Sequence, residues 1–180
     1  TRHLQRQALR RAAQLQGKAH DGLCEREPVQ RAQRLPGFRG KPRSTGLVAG
    51  TGSITIELLS RGCGRVVSVE RDAQHFKFIR QVVDALKAPN CTLLRADVFR
   101  FLNKCNETFD FIFADPPYAL NNLATLPDLV FGHRLLKKNG LFVLEHGKTD
   151  NFTAHPCFVE HRAYGSVNFS FFRAEEETEP

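Results

Sequence analysis

Phe109-Asp110-Phe111-Ile112-Phe113-Ala114-Asp115-Pro116-Pro117-Tyr118 joins a strongly apolar run to an acid, two prolines and an aromatic ring. The run Phe109 to Ala114 reads as a strand covered on both faces, because such strands carry near-continuous apolar side chains. The prolines end it, since each lacks an N–H and fixes φ. An Asp side chain and the Pro116 carbonyl remain at the strand's end, a rigid pair that can only accept hydrogen bonds. Such a pair suits an amino group. It would hold an exocyclic NH₂ by both hydrogens and leave the nitrogen lone pair free to react, while Tyr118 stacks on the base. A lone Asp-Pro-Pro is also consistent with an ordinary turn. The strand before it, Tyr118 after it and a glycine turn upstream weigh against that reading.

Outward from this stretch the pattern is regular. Upstream, Ser53 is expected to cap a helix over Ile54 to Arg61 that Gly62 stops. Val66 to Glu70 reads as a short buried strand, and Asp72 as the cap of a helix reaching about Lys87, with Phe76, Ile79, Val82, Val83 and Leu86 on one face. Cys91 to Arg95 is strand-like and Val98 to Lys104 is a short helix. Downstream, a helix is expected near Pro127 to Lys138, ended by Lys137, Lys138 and Gly140, and then a strand over Leu141 to Glu145. Strands alternating with helices predict a mostly parallel, doubly wound α/β sheet. Phe158 to Arg162 and Ser166 to Phe172, split by Tyr164-Gly165, predict a closing antiparallel hairpin.

Three further positions belong with the proline turn. Ala49-Gly50-Thr51-Gly52 opens the first of these helices, and glycines there let a backbone approach a ligand, although many such turns are glycine-rich for steric reasons alone. Glu70 ends its strand at the carboxyl edge of the sheet, where open α/β sheets bind ligands, and its carboxylate can accept two ribose hydroxyls. Asp97 follows the next strand. Its side chain or the Val98 amide can reach an adenine edge, and a plain helix-cap role is equally open. Glu145-His146 ends a strand and could face a target nucleotide, but a single His at a strand end is ordinarily a partly buried residue, so neither joins the catalytic set. His155 and His161 lack ligand-like spacing, and no metal site is expected.

The 180 residues suit one domain. No run approaches the roughly 20 apolar residues of a membrane span, and the basic N-terminus lacks a signal peptide's apolar stretch, so a cytoplasmic protein is expected. Cys24, Cys63, Cys91, Cys105 and Cys157 form no C-x-x-C pair and read as reduced thiols. The net charge of +7 is uneven: residues 1–47 hold 11 Lys/Arg against 3 Asp/Glu, and the remainder holds 15 against 16. Residues 1–47 also lack Asn and Ile, and contain only Phe38 of the fifteen Phe. This composition boundary suggests three segments: a basic N-terminal stretch 1–47, a domain 48–173 and an acidic, disordered tail 174–180.

The order Ala49-Gly50-Thr51-Gly52, Glu70, Asp97 and Asp115-Pro116-Pro117-Tyr118 resembles the Rossmann-like class I amino-methyltransferases. Ser60-Arg61-Gly62-Cys63, the run Asp97 to Leu102 and the ending Tyr164 to Phe169 narrow the resemblance to the bacterial 16S ribosomal RNA guanine-N2 methyltransferases. It covers about residues 48–173. It implies that Gly50, Gly52, Glu70 and Asp97, with Val98 beside it, bind S-adenosylmethionine, and that Asp115, Pro116 and Tyr118 hold the guanine. The implied partner is small-subunit ribosomal RNA or an assembling 30S particle, met by a monomer. The catalytic tetrapeptide alone is shared with DNA adenine-N6 methyltransferases. A non-catalytic nucleic-acid-binding Rossmann domain, or the inactive product of a damaged gene, is the alternative outside catalysis.

The resemblance fails at the start. The family's glycine turn follows an apolar strand ending in Asp at the centre of the sheet. Here that stretch is Arg39-Gly40-Lys41-Pro42-Arg43-Ser44-Thr45-Gly46-Leu47-Val48, with Gly46 where the acid is expected. Pro42, the glycines and the charges argue against a central strand, so the first strand is expected to be missing. Codons chosen for His20 through Gly40 and read one base later can give T-T-D-F-A-R-E-S-L-F-N-V-L-N-G-Y-L-D-F-E, like the family's N-terminal helix. Those for Leu15 to Asp21 can give F-K-A-R-P-T-T-D, and those past Gly40 R-V-L-L-D-L. Residues 1 to about 47 are therefore read as a frameshifted segment, against the competing reading of an Arg-rich arm docking on RNA phosphates.

Overall fold

The structure is a computed structural model, and it describes residues 22–34, 38 and 40–174. Most of the basic segment's first half and the acidic tail beyond residue 174 lie outside the described residues. The elements are α1 (Gly22–Gln33), β1 (Arg43–Leu47), α2 (Ser53–Ser60), β2 (Arg65–Glu70), α3 (Ala73–Ala85), β3 (Cys91–Arg95), α4 (Val98–Lys104), β4 (Phe109–Ala114), α5 (Leu126–Gly132) preceded by a 3₁₀ turn, β5 (Leu136–His146), β6 (Phe158–Tyr164) and β7 (Val167–Arg173). One seven-stranded sheet runs β3-β2-β1-β4-β5-β7-β6. The first five strands in that order pair parallel, while β7 pairs antiparallel with both β5 and β6. This is the mostly parallel α/β sheet with a closing hairpin that the strand pattern predicts.

β4 sends Phe111 and Phe113 to one face, where they pack with α1, α2 and Phe38, and Ile112 and Ala114 to the other, against α4 and α5. All four are at most 1% exposed, which explains why the run is apolar throughout. α3 sits over β3 through Ile79, Val83 and Leu93.

The first strand is present, contrary to the expectation of its absence. β1 pairs with β2 on one side and β4 on the other, Leu47 standing level with Val69 and with Ala114. Each supposed obstacle has a place. Pro42 lies just before the strand, and its carbonyl accepts the Gly64 amide at 2.9 Å. Arg43 is at the exposed end, where its amide donates to Asp110 Oδ2 at 2.8 Å. Gly46 lies under α2: a Cβ there would stand 3.0 Å from Ile54 Cγ2, so the missing side chain permits close approach of helix to strand. Ser44 is satisfied by Cys63 Sγ at 3.4 Å, and beside the strand Thr55 and Ser68 share a hydrogen bond of 2.8 Å.

Two boundaries move. Gly52, with φ 81°, is the N-cap of α2 and offers no side-chain bond, so Ser53 is its first residue and not its cap. α5 ends at Gly132, six residues before the expected stop, because Leu135 and Leu136 turn into the core. Lys137 to Gly140 instead form an irregular start to β5, where the register against β4 shifts between Phe109 and Phe111.

Candidate active site

The carboxyl ends of β1, β2, β3 and β4 lie along one edge of the sheet, and the chain reverses its strand order between β1 and β4, where open α/β sheets form a crevice. The turn after β1 is left-handed at Val48 (φ 56°) and Gly50 (φ 54°). A β-branched residue in that region stores about 1–3 kcal/mol, and Val48 lines the crevice. A Cβ on Gly50 would meet nothing, and its amide donates to Glu70 Oε2 at 2.6 Å. Gly52 is there for packing: a Cβ on it would collide with Ile79 Cγ1 at 2.8 Å, and it does not line the crevice.

Glu70 is 4% exposed and ties two segments together, its other oxygen accepting the Asp72 amide at 2.7 Å. A carboxylate has about four lone-pair positions, so two backbone bonds leave capacity for a ligand's hydroxyls. Asp97 does serve as an N-cap, accepting from the Phe99 and Arg100 amides at 3.0 and 3.2 Å. It also faces the crevice with Val98, and Arg71 reaches its Oδ2 at 3.9 Å. Asp115 closes the opposite wall, the buried Pro116 follows it, and the Pro117 carbonyl accepts the Leu120 amide at 2.8 Å to fix the turn. The crevice has a volume of about 610 Å³, in the range of small-molecule and cofactor sites. Val48, Val69, Val98 and Leu120 give it apolar walls beside the three carboxylates Glu70, Asp97 and Asp115. Among the described residues no cluster of His, Cys, Asp or Glu is placed to hold a metal ion.

Tyr118 stands outside the crevice lining, 46% exposed, and its hydroxyl donates to Glu145 Oε1 at 3.0 Å. Burial of the hydroxyl, then the Glu145 charge and hydrogen bond, push the phenol up to about 12. Sequence reasoning named Glu145 only as a strand end able to face a nucleotide and missed its bond to Tyr118; the available signal was an acid ending an otherwise apolar strand next to the Asp-Pro-Pro-Tyr turn. His146 beside it is 1% exposed and satisfied, with Ser170 Oγ at 2.8 Å from Nε2 and the Gly147 carbonyl at 2.8 Å from Nδ1. The histidine is thus more deeply buried than the partly buried strand-end residue expected from the sequence.

The family model described as "Conserved hypothetical protein 95" matches residues 40–173. A Bacillus subtilis protein, YlbH, provisionally designated an rRNA methyltransferase, is 36% identical over 113 residues, covering 59% of this chain and 60% of that protein. Ribosomal RNA small subunit methyltransferase D of Buchnera aphidicola is 29% identical over 103 residues, 57% of this chain and 53% of that protein. The chain thus spans little more than half the length of these curated relatives. A Thermus thermophilus 16S rRNA N2 methyltransferase, solved in complex with AdoMet and guanosine, superposes with a TM-score of 0.66 at 23% identity, over 88% of this chain and 44% of that one. At that identity the likeness is one of fold.

Proposed function

The chain belongs to the family described as Conserved hypothetical protein 95, and we propose that it transfers a methyl group from S-adenosylmethionine to the exocyclic N2 amine of a guanine in small-subunit 16S ribosomal RNA. The observation that carries the reading is the meeting of Gly50, Glu70, Asp97 and Asp115 on one crevice, with Asp115 followed directly by the proline turn and Tyr118. The crevice suits the cofactor chemically: apolar walls for an adenine, Glu70 for a ribose and a carboxylate-lined interior for a cation. Bound there, S-adenosylmethionine supplies an electrophilic methyl group on a positive sulfonium. Asp115 and the Pro116 carbonyl accept the two hydrogens of the amine and aim its lone pair at that methyl group. Tyr118 offers its exposed face to the base. Catalysis is therefore chiefly positioning. The substrate is rRNA, free or in an assembling particle, and the enzyme acts as a cytoplasmic monomer.

The test is transfer of labelled methyl groups to 16S rRNA, to small-subunit particles and to DNA, followed by digestion to nucleosides. N2-methylguanosine in the RNA is the expected product. N6-methyladenine in DNA would replace the reading with the other one that shares the Asp-Pro-Pro-Tyr turn.

A further inference from the structure

Glu145 closes β5 and is only 4% exposed, whereas Tyr118, whose hydroxyl it accepts at 3.0 Å, is 46% exposed. The turn after β5 leaves the ring room: a Cβ added to Gly147 would only reach ordinary contact distance, 3.8 Å from Tyr118 Cγ, and the Gly147 amide is fixed by its bond to Asp150 Oδ2 at 3.1 Å. The hydroxyl is thus tied to the end of β5 while nearly half of the residue stays open to solvent. A surface tyrosine ordinarily loses side-chain freedom when a base stacks on it, and fixing it beforehand removes that cost.

We propose that Glu145 is a positioning residue: it grips the Tyr118 hydroxyl so that the open face of the ring is set, before RNA arrives, as the platform on which the acceptor base stacks. The use of the platform rests on the function proposed above; the grip does not. Burial of a carboxylate beside the catalytic turn fits this role, because buried acids are retained where hydrogen bonds repay their desolvation.

The chain has two tyrosines and no tryptophan, so in a Tyr164→Phe background phenolate absorbance reports Tyr118 alone. At about pH 10.5, above the ordinary phenol value, Tyr118 is expected to be less ionised in that background than after Glu145→Gln, which removes the carboxylate charge and leaves the burial that is the main cause of the raised value. Circular dichroism at the same pH verifies that both remain folded. With rRNA as substrate, Glu145→Leu is expected to raise KM about 10-fold with a smaller change in kcat, the size of a weakened base–aromatic stack. Glu145→Gln, which still accepts the hydroxyl, should restore most of the loss, and Tyr118→Phe combined with Glu145→Leu should do no further harm. Equal ionisation with and without the Glu145 carboxylate, or an unchanged KM in Glu145→Leu, would overturn the proposal. Should the unaltered chain methylate no RNA, the function reading falls, and the phenolate comparison still decides whether the Glu145 carboxylate stands at the Tyr118 hydroxyl.

Discussion

His146 is buried against Phe152, with ring centroids 5.0 Å apart, and makes hydrogen bonds through both ring nitrogens. The Gly147 carbonyl can only accept, so Nδ1 carries the proton and Nε2 accepts from Ser170 in the neutral ring. Burial, the main cause, holds the imidazole below its ordinary value of 6.5. The folded state therefore favours the neutral form, and the unfolded chain binds the extra proton first as pH falls. The stability this contributes is present above about pH 6.5 and is lost as pH drops through the folded value. The urea midpoint is expected to decrease between about pH 7.5 and 5.5, and His146→Gln to flatten that decrease. A midpoint that falls equally steeply in the variant would assign the acid sensitivity to other groups.

At the scale of elements, β1 is the informative case. Its Thr45 Oγ1 is buried without a hydrogen-bond partner on an interior strand, between β2 and β4. An orphaned hydroxyl costs about 1–3 kcal/mol, so Thr45→Val should stabilise the fold by about 1 kcal/mol, read as a higher urea midpoint at unchanged slope. A loss of stability would mean that the hydroxyl is satisfied. The same strand marks where the sequence stops being legible. β4 declares itself because both its faces are covered by apolar neighbours, and α3 and α4 because Asp72 and Asp97 cap them through their side chains. β1 does not, because its fitness lies in partners far along the chain: Cys63 for Ser44, Asp110 for the Arg43 amide, and the approach of α2 for Gly46. The end of α5 was hidden for a related reason. Lys137 and Lys138 look like a helix terminus, but Lys137 pairs with Asp110 on β4 at 2.8 Å and so belongs to the sheet. At the site, the strand-end acid, the glycine turn and the proline turn were visible locally. The Tyr118–Glu145 pair was not, since 27 residues separate its members.

Across the whole molecule, the basic N-terminal segment is partly woven into the fold. Val29 and Ala32 of α1 are fully buried, Phe38 meets Phe111 edge-on at 5.8 Å between centroids, and Arg31 pairs with Glu160 while lying 5.4 Å over the Phe171 ring. This covers the face of the sheet between α2 and the closing hairpin. Phe38→Ala should therefore cost about 3 kcal/mol. An unchanged stability would mean that Phe38 does not pack on the sheet in solution. Arg31 already has an acidic partner, so it is a poor candidate for a phosphate contact. No helix among the described residues is long and apolar enough to cross a membrane.

The rigid acceptor pair at the end of β4 is proposed to act by holding an amine. The most direct test compares the unaltered chain with Asp115→Ala, measuring methyl transfer to small-subunit rRNA and S-adenosylmethionine affinity on the same preparations. Transfer should fall about 100-fold or more while the affinity stays nearly unchanged, because misplacing the reacting amine by an ångström is enough to cause such a loss. Comparable losses of both, or transfer that persists, would contradict the claim.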